Sequence, residues 1–157
     1  MPSAPPSAEA EPLFASDEEA LAAAEAAYAE YLAVSNKILE NGGEGEEELR
    51  PLVSAEVFGD EAAGFGYRRE NGLVSVGGTQ LVETELQQVI PGGPATEVVA
   101  FFCLSYESVD VVGPDGESVV PDDRAPFATY EGAIEFTSNS NWVLKSNDFW
   151  EEGASCD

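Results

Sequence analysis

The feature that most constrains the fold of this chain is a change of periodicity near Asn71-Gly72. Before this dipeptide, apolar residues recur at three- and four-residue steps, as they do on amphipathic helices. After it, apolar and polar residues alternate in several segments, which is typical of half-buried strands. Helices followed by strands predict an α+β domain, in which N-terminal helices pack on a curved antiparallel sheet and leave a pocket beneath them.

Capping signals place the helices. Ser16-Asp17-Glu18-Glu19 is a capping box, and Asn41-Gly42-Gly43 supplies a stop, so the sequence predicts a helix from residue 17 to 40. Leu49 to Val53 is expected to form a short helical turn. Ser54 caps a further segment that must end by Asn71-Gly72, although three glycines weaken its helical pattern. The inner face expected for this segment is Val57, Phe58, Ala62 and Phe65.

Strands are predicted at 80–90, 96–112, 127–137 and 142–149, with a hairpin from Gly113-Pro114-Asp115-Gly116 into 117–120. The 96–112 segment is apolar on both faces near its middle, which predicts a central position in the sheet. The residues expected to face the core are Val98, Ala100, Phe102, Leu104, Ile134 and Phe136. In the 80–90 strand, the alternation puts Val82, Thr84, Leu86 and Ile90 on one side and Glu83, Glu85 and Gln87 on the other.

The N-terminal segment differs from the rest in composition. Residues 1–15 are rich in proline, alanine and glutamate and are interpreted as a flexible leader, with one domain at 16–157. The leader lacks the basic and apolar regions of a signal peptide and looks like the stalk that follows a lipid anchor in exported proteins. Met1 would then be a cloning artefact. The alternative is a natural cytosolic start with a disordered leader.

The charge of the chain excludes two classes of partner. There are 31 acidic residues against six basic ones, giving a formal net charge of -25, so nucleic acid and anionic lipid surfaces would be repelled. The apolar fraction of 43% is that of a protein with a core, so most of this charge belongs on the surface. It serves solubility, or it attracts a basic partner or divalent cations; composition does not separate these alternatives. No apolar stretch approaches the roughly 20 residues of a membrane helix.

The two cysteines, Cys103 and Cys156, suggest one disulfide and an oxidising compartment. The alternative is a buried core thiol with an unrelated thiol in the tail. Because the chain has no histidine and no CxxC spacing, a zinc site and a Cys-His nucleophile are excluded.

Several landmarks resemble the nuclear transport factor 2-like (cone-fold) superfamily, especially an exported, often lipid-anchored and uncharacterised branch in high-GC bacteria. They are the Ala/Glu-rich first helix with Tyr28 and Tyr31, the strand Phe101 to Tyr106 that contains Cys103, the Val111 to Gly116 hairpin, Trp142-Val143, and Cys156. The similarity covers roughly residues 16–157. The sequence departs from this pattern at Ser105, where many such chains have aspartate, and in the glycine-rich stretch 64–78.

The resemblance implies a cone-like fold and an exported, envelope-associated protein, and it implies little about activity. We expect a non-enzymatic domain that binds a small apolar ligand or an envelope protein through the cavity or the sheet face. The ligand-binding candidates are Tyr28, Tyr31, Phe102, Tyr106, Tyr130 and Trp142. The alternative for these aromatic residues is that they only fill the core. A further alternative is a domain that forms homodimers through its sheet.

The remaining alternative is a cavity enzyme of the isomerase, cyclase or hydrolase type, which would need a buried carboxylate within reach of a pocket tyrosine. No nucleophile elbow, phosphate loop or dinucleotide motif occurs, so neither catalytic residues nor a cofactor are assigned. The acidic residues at 110–123 miss the spacing of a calcium loop, and no metal site is predicted. Arg68-Arg69 is expected to meet a helix dipole rather than an anionic ligand.

Overall fold

Two helices precede all the strands, as the sequence predicts. The structure, a computed structural model, describes residues 12–138 and 140–150. Helix α1 (Asp17–Glu40) begins at Ser16, whose Oγ accepts a hydrogen bond of 3.2 Å from the Glu19 amide. The Glu19 carboxylate accepts a hydrogen bond of 2.8 Å from the amide of Ala15, one residue before the N-cap, so the return bond of the predicted capping box goes to a neighbouring amide. The predicted bounds of α1 are confirmed.

Helix α2 (Ala55–Asn71) forms despite its glycines. Its N-cap Ser54 accepts a hydrogen bond of 3.2 Å from the Val57 amide, and Gly72 ends it with a φ of 64°, in the left-handed region that glycine adopts without strain. Three of the four predicted inner residues are buried, namely Val57, Phe58 and Phe65. Burial of this face outweighs the low helical propensity of the glycines. Between the two helices lie short 3-10 turns at Glu46–Glu48 and Arg50–Leu52.

Six strands follow, in two sheets. They are β1 (Val74–Val76), β2 (Gln80–Pro91), β3 (Thr96–Ser105), β4 (Asp110–Val112), β5 (Phe127–Phe136) and β6 (Trp142–Phe149). The larger sheet is antiparallel, in the order β2-β3-β5-β6, and β1 pairs with β4 in a separate antiparallel ribbon. Helix α1 packs on β2 and β3, and α2 packs on β6. The predicted α+β architecture, helices first and an antiparallel sheet after them, is confirmed.

The predicted strand 96–112 is wrong in one respect, because it is two strands in different sheets. The chain turns after Ser105, where the Val109 amide donates a hydrogen bond of 2.9 Å to the Tyr106 carbonyl. The residues that follow then pair with β1. The predicted strand at 117–120 is reduced to a single bridge between Ser118 and Val112.

The core-facing side of the central strands is as predicted. Val98, Ala100, Phe102, Leu104, Ile134 and Phe136 are all buried, and each is at most 4% exposed. In β2 the predicted alternation is wrong at Val82 and Ile90, which are exposed. Two register shifts, at Leu81/Glu83 and Leu86/Gln88, reset the alternation, so the residues that pack on the core are Leu81, Leu86 and Val89.

A third register shift, in β6, has the largest effect on the interior. Leu144 pairs with Ile134, whereas Ser146 pairs with Ala133, so Lys145 is the extra residue of a bulge. The shift moves the inward-facing positions from Trp142 and Leu144 to Asn147 and Phe149, which pair with Gly132 and Tyr130. A polar side chain thereby enters the layer between the sheet and the helices.

The core begins before the predicted domain boundary. Phe14, in the predicted leader, is buried and packs edge-on against Phe136 with ring centroids 5.1 Å apart. The rest of the predicted leader, residues 1–11, lies outside the described residues. Neither helix in the described part of the chain is long and apolar enough to cross a membrane.

Candidate functional site

A cavity of about 850 Å³ lies at the end of the domain where α1 and α2 terminate. Its walls come from the last turns of both helices, the β1-β4 ribbon, the loop after β4, the start of β5 and the end of β6. The apolar lining residues are Leu39, Leu73, Val109, Val111, Val119, Val120, Pro121, Ala125, Phe127, Ala128 and Phe149. A volume of this size accommodates a small organic ligand.

The structure brings most of the predicted ligand-binding aromatic residues together. Tyr106 and Tyr130 line the cavity. Tyr28 and Phe102 lie within the core, with their rings stacked at a centroid distance of 3.9 Å, and Tyr28 meets Tyr31 edge-on at 5.2 Å. Five of the six predicted residues therefore lie in one region of the molecule, and of these five Tyr106 and Tyr130 line the cavity itself.

Trp142, the sixth predicted ligand-binding residue, lies away from the cavity and from the other five aromatic residues. It pairs with Phe136 at the far end of β5, whereas the cavity lies at the Phe127 end of that strand. Its partly buried ring packs against the core.

Asn147 joins two of the buried tyrosines. The Tyr28 hydroxyl donates a hydrogen bond of 2.9 Å to Asn147 Oδ1, and Asn147 Nδ2 donates one of 3.4 Å to the Tyr31 hydroxyl. The Tyr31 hydroxyl in turn donates to Glu61 Oε2 at 2.6 Å. Sequence reasoning missed Asn147 and Glu61, because the β6 bulge that turns Asn147 inward has no clear signal and Glu61 is one of many acidic residues on helices.

Burial governs the protonation of this group. Burial raises the pKa values of Tyr28 and Tyr31 well above the ordinary tyrosine value, so both hydroxyls keep their protons and act as donors. Burial also raises the pKa of Glu61, although the hydrogen bond from Tyr31 opposes the shift and the charge of Asp60 adds to it. At the cavity wall, burial and the nearby Tyr130 raise the pKa of Tyr106.

Glu61 does not face the large cavity. It lines a separate pocket of about 70 Å³, together with Asp60, Asn147 and Asp148. This pocket is small and its lining is acidic. A tyrosine-carboxylate pair therefore exists, but the described residues put its carboxylate outside the space that could hold a substrate.

Two arginines line the large cavity. Arg68 Nη1 donates a hydrogen bond of 2.9 Å to Ser75 Oγ, and both residues belong to the wall. Arg124 Nη2 donates to the carbonyls of Tyr106 and Val109, at 2.8 and 2.9 Å, and so holds the turn between β3 and β4. Burial lowers the pKa of Arg68.

Adjacent arginines at the end of α2 have separate surroundings. Arg69 Nη1 donates to the Gly43 carbonyl at 2.7 Å and to Glu46 Oε1 at 2.8 Å, which ties α2 to the turn after α1. Arg68 lies on the cavity side. In the sequence, Arg68 and Arg69 look equivalent, as two cations near a helix C-terminus. The helical pattern alone does not show that the β1-β4 ribbon packs on the Arg68 side.

Within residues 12–138 and 140–150, no group of three or more Cys, Asp or Glu side chains is placed to hold a metal ion. In the 110–123 segment, Asp110 Oδ1 accepts hydrogen bonds from the Ser118 hydroxyl and the Val111 amide, and Asp115 Oδ1 accepts one from the Glu117 amide. These aspartates stabilise turns.

Of the predicted disulfide pair, Cys103 is buried in β3 and Cys156 lies outside the described residues. The pairing stays a prediction.

No protein-family model matches this chain, and no curated protein matches it by sequence. Among solved structures, it is similar to the intermembrane space region of the chloroplast protein ARC6, with a TM-score of 0.59 and 18% identity over 86% of this chain and 97% of the other. At this identity the likeness shows a shared α+β fold alone. A de novo designed β-sheet protein also matches, with a TM-score of 0.31 and 11% identity over 89% of this chain and 94% of the other, a similarity too low to indicate a shared fold.

Proposed function

We propose that this protein is a non-enzymatic binding domain that holds a small, largely apolar molecule in the 850 Å³ cavity. The observation that carries the proposal is an open space of ligand size whose wall is mainly aliphatic and aromatic. Proteins rarely leave such a surface unfilled without a use, because burying it would stabilise the fold by roughly 25 cal/mol per Å².

The rim of the cavity supports this function. Tyr67, Val119 and Phe149 line the cavity, and these residues are 61%, 52% and 54% exposed. Large apolar side chains that stay exposed around one opening are typical of binding sites. A bound ligand would cover part of each of them.

The cellular setting is also a proposal. We infer a cone-fold protein of the nuclear transport factor 2-like type, exported and held at the outer face of the cytoplasmic membrane by a lipid that precedes this sequence. The landmarks quoted from the sequence support this inference.

A cavity enzyme is the weaker alternative. Tyr31 and Glu61 are in hydrogen-bond contact, which such an enzyme would need, but Glu61 lines the small pocket and none of the described acidic residues lines the large one. Self-association through the sheet is also weaker. Its outer face pairs Glu97 with Glu135 across β3 and β5, and like charges on two apposed copies would repel.

The neutral fluorescent probe N-phenyl-1-naphthylamine tests the proposal. We expect its fluorescence to rise on addition of the full chain and to saturate at one probe per protein. Val111→Trp should lower the affinity for the probe at least tenfold, because Val111 lines the cavity and an indole would fill part of it.

Val82→Trp is the matched control, since Val82 is 51% exposed on β2 and does not line the cavity. This variant should bind the probe as the wild-type protein does. Absence of saturable binding, or an equal loss in both variants, would rule out the cavity as the binding site.

A further inference from the structure

The cavity differs in charge from the rest of the molecule. The chain has 31 acidic residues and six basic ones, yet none of the described lining residues is acidic and two of them are arginines. In a protein with a net charge of -25, the described wall of this cavity carries a local excess of positive charge.

The ion pairs also set the two cavity arginines apart from the other basic residues. Four of the six basic residues pair with carboxylates, in Lys37–Glu48, Arg50–Glu47, Arg69–Glu46 and Lys145–Glu135. The two that form no ion pair within the described chain are Arg68 and Arg124, and these are the two that line the cavity. Acidic side chains are abundant, yet none of those that the structure describes pairs with these two guanidinium groups, which suits the cavity wall to an anionic ligand.

The two arginines have different roles in this wall. Arg124 has its Nη2 engaged by two backbone carbonyls, so it fixes the loop and contributes charge. Arg68 is half-buried and has one hydrogen bond, from Nη1 to the Ser75 hydroxyl. Its remaining donors are therefore available, and a guanidinium group offers a planar fork that matches a carboxylate.

We propose that the ligand is an amphipathic monoanion of the fatty-acid type, whose carboxylate pairs with Arg68 while its apolar chain lies along the valine-rich wall. This inference rests on the proposed function and names its ligand class. The Ser75 hydroxyl, which Arg68 already holds, is placed to donate a second hydrogen bond to the same carboxylate. A monoanion fits best, because Arg124 Nη2 is already held by two backbone carbonyls and Arg68 is left as the guanidinium group that pairs directly with the head group.

The test compares dodecanoate with dodecanol by isothermal titration calorimetry on the full chain, below the micelle concentration and at moderate salt. The two probes share their chain length and differ in the head group. We expect dodecanoate to bind at least tenfold more tightly, as a charge-assisted hydrogen bond in a partly buried site would give.

Arg68→Gln should remove this preference and leave the affinity for dodecanol unchanged. Arg69→Gln is the matched control, with the same change of charge on the next residue but outside the cavity, and it should keep the preference. If dodecanol binds as tightly as dodecanoate, or if both variants lose the preference equally, the monoanion assignment is wrong while the apolar cavity function stands. If neither probe binds, and N-phenyl-1-naphthylamine does not bind either, the proposed function itself fails.

Discussion

The Tyr28 hydroxyl donates a 2.9 Å hydrogen bond to Asn147 Oδ1, linking the middle of α1 to a strand 119 residues later in the chain. Tyr28 is fully buried, and its ring stacks on Phe102. The contact therefore joins the helical layer to the sheet through both a polar and an apolar interaction. It depends on the Lys145 bulge, because without that extra residue Asn147 would face the other side of β6.

Tyr28→Phe is expected to lower the free energy of unfolding by about 1 kcal/mol, because the Asn147 carbonyl oxygen then lacks its donor inside the protein. Urea denaturation followed by circular dichroism measures the change. Tyr67→Phe is the control, since Tyr67 is 61% exposed, and it should stay within about 0.5 kcal/mol of the wild type. Equal effects of the two substitutions would show that the buried hydrogen bond contributes nothing specific.

Gly132→Ala is expected to destabilise the protein by about 1–3 kcal/mol. A Cβ atom at this position would lie 3.0 Å from Cε2 of Phe102, whose ring is held against Tyr28. Gly64→Ala, on α2, meets no atom within 4 Å and should instead stabilise the protein by about 0.5–1 kcal/mol, since alanine has the higher helix propensity. Thermal or urea unfolding of the two variants checks this difference in sign.

Glu61 is expected to make stability depend on pH. Its pKa in the folded protein is raised above the ordinary value of 4.5, mainly by burial, so the folded state binds the proton more tightly than the unfolded state does. The favourable contribution of protonated Glu61 is complete below pH 4.5 and is lost as the pH rises from there through the raised pKa. The stability of wild type relative to Glu61→Gln should therefore fall with rising pH across that interval and then level off.

The measurement is urea denaturation of both proteins at a series of pH values. Glu30→Gln, which removes an exposed carboxylate from α1, gives the effect of the charge change by itself. A relative stability that rises with pH, or the same profile for both variants, would contradict the assignment of Glu61 as a buried acid.

The predicted Cys103–Cys156 disulfide has a measurable energetic effect. A bridge that closes a loop of roughly 50 residues stabilises a domain by about 4 kcal/mol in the chain-entropy model. Protein exported to an oxidising compartment should show no thiols when denatured without reductant, and reduction should lower its free energy of unfolding by about that amount. Cys156→Ser should unfold as the reduced wild-type protein does. If the non-reduced protein has two free thiols, the inference that the protein works in an oxidising compartment loses its basis.

Local signals in the sequence were sufficient for much of the fold. The caps at Ser16 and Ser54 and the stop at Gly72 are short-range patterns with a direct physical cause, and the helices follow them. The central strands were also predictable, because buried and partly buried residues alternate over 96–102 and over 134–136. Such patterns determine secondary structure without knowledge of the partner element.

Features that depend on pairing were not predictable in this way. The bulges in β2 and β6 exchange inward and outward positions, so Val82 was assigned to the wrong environment and Asn147 was missed. The division of the 96–112 segment between two sheets likewise depends on its pairing with β1. A strand of three residues is too short to give a recognisable pattern in the sequence. Arg68 and Arg69 look equivalent in the sequence, and only the packing of the ribbon assigns one of them to the cavity.

The two sides of the cavity differ greatly in mechanical strength. One side belongs to β5 and β6, which are anchored in the four-stranded sheet, and the other to a ribbon of only three residue pairs between β1 and β4. Local opening requires the least free energy where few hydrogen bonds and contacts must break, so backbone amides of the ribbon should exchange with deuterium well before those of β5. If the cavity binds a ligand as proposed, we expect the β1-β4 ribbon to open for it to enter and leave while the four-stranded sheet stays folded.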